Sequence, residues 1–391
     1  MTGRTIIVTG ASSGIGYEVA RYLCEGGNDT ILACRDENKA KTAIEKIKNA
    51  NPNALATFMK VDLSDFSSIR KFVEEFRSTG KKLHVLVNNA GILLNKKDLD
   101  RQFNGDNIEL TMATNFFGPF LLTNLLLEDL KTTGADSGDA RIVNVVTRLH
   151  DVNNCRKQWN VQPLDFEDIL LAKEGAYSGM NAYKNSKACT IMMTYELAKR
   201  LEGTGVSVNC VCPGFVPATD ISRQQSTTVR LLHRYVIGPV LRVSKQAKSV
   251  SQGAAAIYSL VLDEKFKGVS GKYYQNNTEA ESSAETQDKE KWETIWKIGG
   301  GYSKMDGFEP IEAPIPPPPE EKKKLEENGK EESNEKEEEK EENKEEEKKD
   351  VKKEQSDEKK DVEIEEPKKE MEPEDKEKIK SEIIEAKPQE A

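Results

Sequence analysis

Metal-binding and disulfide-forming residues are scarce in this chain, which holds three histidines and six cysteines in 391 residues. Cys24, Cys34, Cys155, Cys189, Cys210 and Cys212 are scattered, mostly through apolar runs, and no pair has zinc spacing with histidines nearby. Cys210 and Cys212 follow a strand alternation, not a Cys-x-x-Cys motif. No metal site is expected, and the thiols read as small buried hydrophobes in a reducing compartment. Long hydrophobic runs are also missing: no window approaches the roughly 18 uninterrupted apolar residues of a membrane-crossing helix. The first apolar run begins almost at once, so no signal peptide is expected before it. Pro388-Gln389-Glu390-Ala391 carries no prenylation, peroxisomal or retention signal. Asn276-Asn277-Thr278 matches a glycosylation sequon, which reads as chance without secretion. A soluble, cytoplasmic protein is the expectation.

Hydrophobic residues make up only 36% of the chain against 32% charged, a poor balance for an ordinary domain. The imbalance is local. From Glu320 onward there are about 31 acidic residues and 19 lysines, a net charge near −12. The whole chain is −10, so the body before it is close to neutral, which removes the electrostatic case for nucleic-acid binding. The charges divide the chain into a body over 1–302, a proline-rich linker over 303–319 and a Glu/Lys-rich tail over 320–391. The tail has almost nothing to bury and reads as disordered, although many of its Glu–Lys pairs lie four apart, as in a solvated helix or coiled coil.

Within the body, short apolar runs alternate with helical periodicity. Strands are expected at Arg4–Val8, Thr30–Cys34, Ala54–Val61, Leu83–Val87, Arg141–Val146, Val206–Val211 and Gly271–Tyr274. Helices are expected after the first strand from Tyr17, after Asp36, over Ser64–Phe76, as one long element over Ile108–Leu130, over Met180–Leu201 and over Gln246–Leu262, with a closing helix around Trp292 and Trp296. The apolar, cation-dotted stretch Val229–Leu241 reads as a helix over the sheet, with a lid or a membrane-touching surface as alternatives. The alternation specifies an α/β fold: a Rossmann-like, doubly wound parallel sheet in a single domain. Such sheets bind ligands beyond the carboxyl ends of their strands. The informative residues fall there: Gly10 to Gly16, Arg35, Asp62, Asn88 to Gly91, Thr147, and Pro213-Gly214. In the first of these, Thr9-Gly10-Ala11-Ser12-Ser13-Gly14-Ile15-Gly16, a glycine-rich turn leads from strand to helix, the context in which backbone amides cradle a phosphate.

Thr9 to Gly16, Asn88-Asn89-Ala90-Gly91 and the Tyr-x-x-x-Lys of Tyr183 to Lys187, in this order, resemble the motifs of the short-chain dehydrogenase/reductase family, and the likeness runs from about Arg4 to Lys297. Leu32-Ala33-Cys34-Arg35, Gly118-Pro119-Phe120-Leu121-Leu122-Thr123 and Glu196–Leu201 resemble its retinol-dehydrogenase-like branch. Tyr183–Cys189 is also similar to light-dependent protochlorophyllide reductases, a local likeness that shows no tetrapyrrole substrate. The resemblance implies seven parallel strands and hydride transfer between a nicotinamide cofactor and a carbonyl or alcohol. It implies Tyr183 as proton donor and acceptor, Lys187 as its modulator and ribose ligand, Thr147 as the substrate-orienting hydroxyl, and Asn115 as the residue ordering a water near the lysine. For Asn115 the alternative is an amide that satisfies local backbone. A neighbouring ammonium is expected to lower the phenol's pKa from its ordinary value of about 10.

The implied cofactor site comprises Gly10, Ser12, Ser13, Gly14, Ile15, Gly16, Arg35, Asp62, Leu63, Asn89, Ala90, Gly91, Tyr183, Lys187, Pro213, Gly214, Val216 and Thr219. Cys34 stands where an acid would bind the ribose of NAD, and Arg35 follows it, so NADP is the expected cofactor; the alternative is a solvated Arg35. Two departures stand out. Val146-Thr147 replaces the usual Ser-Ser, and Thr219 lies one residue beyond the usual nicotinamide-contacting threonine. The leading expectation is an NADP-dependent oxidoreductase for an apolar carbonyl or alcohol, a retinoid or lipid aldehyde among the candidates. The alternative is a catalytically weak NADP-binding module whose acidic tail engages partners. A homodimer and peripheral membrane contact are left open.

Overall fold

The computed structural model describes residues 3–94, 101–153, 161–216 and 247–314. In chain order these form β1 (Thr5–Thr9), α1 (Gly14–Glu25), β2 (Asp29–Cys34), α2 (Glu37–Ala50), β3 (Ala56–Lys60), α3 (Phe66–Ser78), β4 (Val85–Asn88), α4 (Leu110–Met112), a π-helical turn (Ala113–Phe117), α5 (Gly118–Leu125), α6 (Leu127–Ser137), β5 (Ala140–Val145), a short 3-10 turn (Arg148–His150), α7 (Gly179–Arg200), β6 (Val206–Cys212), α8 (Val250–Leu262), β7 (Lys272–Gln275), β8 (Thr278–Ala280), α9 (Ala284–Gln287) and α10 (Lys289–Tyr302). The expected helix at Val229–Leu241 and the tail lie outside the described residues.

One sheet runs β3-β2-β1-β4-β5-β6-β7-β8. β1 to β7 pair in parallel, with Val8 opposite both Leu32 and Val87 and Val87 opposite Val143. β1, β2, β4, β5 and β6 are almost wholly buried, because helices cover both faces. On one face Phe72, Phe76, Phe116, Phe117, Phe120, Met192 and Trp296 form the core; on the other, Val19, Leu23, Ala40, Ile47, Ile257 and Leu260 do. The chain leaves β1 for β2 on one side and reaches β4 on the other. The switch point therefore lies between the ends of β1 and β4, where such sheets open a ligand crevice.

Three features differ from the sequence reading. The sheet has an eighth strand, β8, antiparallel to β7, with Gln275 opposite Thr278. The two residues between them, Asn276 and Asn277, form the hairpin connection, and Asn276 takes the left-handed backbone (φ 59°) such a short reversal favours. The apparent sequon is thus a turn. The long helix expected over Ile108–Leu130 is broken, with its two apolar halves meeting at 54° around Leu126. Arg77 of α3 donates to the Leu125 carbonyl at 2.7 Å and pairs with Asp129 at 2.9 Å. The Leu125 carbonyl is thus taken by a side chain from another helix at the point where the helix breaks, and the Asp129 carboxylate holds the guanidinium there. Finally, the body does not end at 302. Ser303 is fully buried, Met305, Phe308 and Ala313 pack against the core, and Arg70 donates to the Lys304 carbonyl at 2.8 Å. Residues 303–313 belong to the compact unit that the sequence reading closed at Tyr302.

Candidate active site

The glycine turn and the end of β4 are fastened to each other. Thr9 Oγ1 accepts from the Asn89 and Ala90 amides, both at 3.0 Å, and the Asn89 side chain donates to the Thr9 carbonyl at 2.9 Å. The approach is too close for any side chain: a Cβ at Gly10 would lie 2.9 Å from Ala90 Cα, and one at Gly16 2.4 Å from Asn89 Nδ2. Gly10 also holds a left-handed backbone, φ 67°. One N–H of the Asn89 side chain is thus held by Thr9, and the turn after β4 lies with its backbone close against the glycine turn.

The start of α1 fits an anionic group. Asp36, Asp65, Ser178 and Ser249 cap α2, α3, α7 and α8 with their side chains, whereas Ser13, in extended backbone ahead of α1, makes no capping bond. The first amides of α1 are left for a ligand, at the positive end of the helix dipole. Ser12, Ser13, Gly14 and Tyr17 line a cleft of about 440 Å³ with Asn38, Lys39, Thr42, Ala43 and Lys46 of α2. Among those lining residues two are cationic and none is acidic. Arg35 stands exposed at the end of β2, 3.6 Å from Asp62. Cys34 is buried and its thiol faces the Ser12 hydroxyl and the Ala11 and Ser12 amides; burial pushes it up from the ordinary thiol range. Asp62 also accepts from the Ser64 amide and hydroxyl at 3.0 and 2.7 Å, and Leu63 beside it is buried. A nicotinamide adenine dinucleotide thus meets a fitting surface: uncapped amides, hydroxyls, backbone edges and cations. Lys39, Lys46 and the Cys34–Ser12 contact were missed in the sequence; a lysine four residues after Arg35, on a helix entering at the same strand end, is the signal that was there.

A second group of residues gathers where β4 and β5 end. Lys187 is buried on α7 and donates to the Val145 carbonyl at 2.9 Å; burial lowers its pKa to about 8. Asn115 lies in the π-helical turn, a deformation common at functional sites. Its side chain accepts from the Ile92 amide at 2.8 Å and donates to the Ile92 carbonyl at 2.9 Å and to Ser186 Oγ at 3.2 Å. The amide therefore fastens the loop after β4 to α7. The space over Gly91 is shared, since a Cβ there would sit 3.4 Å from Asn115 Oδ1 and 3.6 Å from Lys187 Nζ. A buried relay missed in the sequence braces these strand ends: Asn88 donates to Thr123 and Asn144, and Asn144 to Thr194, each at 2.9 Å.

Tyr183 is buried one turn before Lys187 on α7. Its pKa moves opposite to the sequence expectation. Burial raises it, the neighbouring Cys212 thiol adds to the rise, and hydrogen bonding with the Thr147 side chain offsets part of it. Desolvation outweighs any ammonium here, so Tyr183 holds its proton. Thr147 Oγ1 also accepts from the Leu149 amide at 3.3 Å, opening the 3-10 turn. Beyond Tyr183, the ends of β5, β6 and β7 enclose a cleft of about 470 Å³ lined by Arg148, Cys212, Gly214, Phe215, Lys248, Gln275 and Asn276. Pro213 and Gly214 follow β6, and Val216 lies buried, 3.0 Å from where a Cβ on Gly253 of α8 would be and close to the same point as Ile15. Thr219 lies outside the described residues. The arrangement can hold a proton on a buried phenol beside a hydroxyl, with an amine one helical turn along α7.

A family model described as short chain dehydrogenase matches residues 4–154 and 171–230. Retinol dehydrogenase 12 of Mus musculus is 36% identical over 296 residues, covering 76% of this chain and 85% of the relative. Polyprenol dehydrogenase of Homo sapiens is 35% identical over 296 residues, covering 75% of this chain and 83% of the relative. Among solved structures, 3-ketoacyl-(acyl-carrier-protein) reductase from Brucella melitensis complexed with NADH matches with a TM-score of 0.52 at 20% identity, covering 70% of this chain and 96% of that one, a likeness of fold.

Proposed function

The chain belongs to the short-chain dehydrogenase/reductase family of nicotinamide-dependent oxidoreductases, in its retinol-dehydrogenase-like branch, and from that premise we propose that it is an NADP-dependent oxidoreductase for a carbonyl or alcohol on an apolar substrate. The observation that carries the reading is the buried Tyr183 with the Thr147 hydroxyl beside it and Lys187 one turn away on the same helix. When bound, the nicotinamide supplies or accepts the hydride. Tyr183 passes a proton to the substrate oxygen, Thr147 orients that oxygen, and Lys187 holds positive charge near the proton path. Asn115 sets the loop that lies against Lys187.

NADP is favoured by Lys39 and Lys46 in the α1 cleft and by Arg35 at the end of β2, since ammonium and guanidinium groups suit a 2′-phosphate. The substrate class is drawn from the relatives named for retinol and polyprenol, both long apolar alcohols. The reading as a mere binding module drew on Val146-Thr147 and on the charged tail. Because the Thr147 hydroxyl reaches Tyr183, the threonine supports the enzyme instead. A cytoplasmic location belongs to the same proposal, in keeping with the five buried free thiols among the described residues.

The test is nicotinamide oxidation and reduction with the full chain against retinal, retinol, isoprenoid alcohols and medium-chain aldehydes, with NADP(H) and NAD(H). Turnover with NADP(H), lost by about a thousandfold in Tyr183→Phe, is expected. Wild-type rates in Tyr183→Phe would refute the mechanism, and equal use of NADH would refute the cofactor preference.

A further inference from the structure

His150 is buried directly behind Thr147, and both of its ring nitrogens are committed to main-chain groups. Nδ1 lies 2.6 Å from the Thr147 carbonyl, and Nε2 lies 3.0 Å from the Ser283 amide nitrogen. A carbonyl only accepts and an amide N–H only donates. The partners therefore assign the tautomer: the proton is on Nδ1, and Nε2 offers a lone pair. His84 has the opposite arrangement, its Nδ1 accepting from the Thr5 amide at 3.1 Å. The His150 ring also stands edge-on to Tyr273 of β7, centroids 5.3 Å apart.

Thr147 is held from two directions. Its hydroxyl opens the turn by accepting from Leu149, and its carbonyl takes both the His150 amide, at 3.3 Å, and the imidazole. The ring ties that turn to the chain between β8 and α9. We infer that His150 is a positioning residue, a neutral imidazole that fixes Thr147 and hence the hydroxyl facing Tyr183. The inference rests on the proposed role of Thr147.

A proton on Nε2 would face two N–H donors at each other and cancel the tie to Ser283. The groups facing the ring pull in opposite directions. Burial and Lys184 of α7 favour the neutral form, while the Thr147 carbonyl, Asp151 and Glu285 of α9 favour the charged one; burial prevails. Lys184 and Glu285 are themselves paired at 3.4 Å, which blunts both. Neutral His150 is thus the working form, and it is lost as the pH falls below the ordinary histidine range of about 6.5.

Two measurements on the full chain test this. In steady-state kinetics, His150→Ala should lower kcat by up to about a hundredfold with KM little changed, because a displaced hydroxyl is felt at the reacting geometry. His150→Asn, whose amide can still donate toward Thr147, should recover part of kcat and lose the acidic fall of the wild-type profile. An unaltered profile in His150→Asn, or a loss confined to KM, overturns the inference. The second measurement does not need turnover. With three histidines in the chain, imidazole nitrogen resonances are assignable by single substitutions. His150 should show the Nδ1–H tautomer at neutral pH, and the Thr147 methyl should shift with the His150 titration. An Nε2–H tautomer, or a Thr147 methyl indifferent to that titration, overturns the inference even if the substrate panel is silent. Silence of the wild type on the panel, with both spectroscopic results as expected, counts against the proposed function alone.

Discussion

Lys187 carries a cost that a stability measurement can read. Burial lowers its pKa from 10.5 to about 8, so the folded protein gives up this proton sooner than the unfolded chain does. Between those values the unfolded state binds more protons, and the destabilisation is full below about pH 8, shrinks as pH rises, and vanishes above about 10.5. The difference corresponds to about 3 kcal/mol at neutral pH and to roughly half of that near pH 9.5. Lys187→Met removes the charge and keeps most of the volume. It also strands the Val145 carbonyl that Lys187 binds at 2.9 Å, a loss of about 1 kcal/mol. Without added cofactor, the variant is therefore expected to be about 2 kcal/mol more stable than wild type at neutral pH, with the gap closing toward zero by about pH 9.5. Urea unfolding of both proteins at matched pH gives the difference, in which every other titrating group cancels. The same substitution should abolish turnover. A variant less stable than wild type at neutral pH, or a gap that does not change with pH, would refute the argument that this lysine is held at the expense of the fold.

Arg35→Ala and Lys39→Ala should each raise the KM for NADPH by about tenfold, the scale of one exposed charged contact to phosphate, and leave NADH kinetics unchanged; equal effects on both cofactors would remove these residues from 2′-phosphate recognition. Truncation after Tyr302 deletes Phe308, whose ring lies where a Gly300 side chain would project, together with Ser303 and Met305. That chain should lose about 2 kcal/mol or more in urea unfolding, while truncation after Pro316 should not; two superimposable curves would show that the docked segment adds nothing.

The strands, the helix order and the crevice were legible because they rest on local signals: short apolar runs, helical spacing and glycines at strand ends. The start of α2 after Asp36 was equally plain, and Asp36 accepts from the Lys39 amide at 3.0 Å. What escaped depends on partners far away in sequence. The break at Leu126 needs Arg77, 48 residues from the carbonyl it takes. The docking of Phe308 needs the bare backbone of Gly300, which looks in sequence like the middle of a weak glycine run. His150 looks like one more turn residue until Ser283, 133 residues on, supplies the second partner. The candidate site residues divide in the same way. Their positions followed from motif and strand end, but the direction of the Tyr183 shift did not, because spacing on a helix counts the neighbouring lysine and cannot count lost water.

That reversal bears on the direction of the chemistry. A phenol pushed up by burial keeps its proton at neutral pH, so the resting site stands in the protonated form, and that proton leaves only as negative charge grows on the substrate oxygen. Lys187, at about 8, is mostly an ammonium under the same conditions and can stabilise the phenolate left after the proton is given. The Thr147 hydroxyl accepts from the Leu149 amide and shares a hydrogen bond with Tyr183, so the two oxygens stand together. Each of these states suits a carbonyl oxygen that gains negative charge as hydride arrives. The oxidative direction starts by removing a proton from an alcohol, and the site opposes that until the phenol is first deprotonated. With both cofactor forms supplied at neutral pH, carbonyl reduction should therefore outpace alcohol oxidation, and the ratio should fall as the pH is raised past about 8, where Lys187 loses its charge.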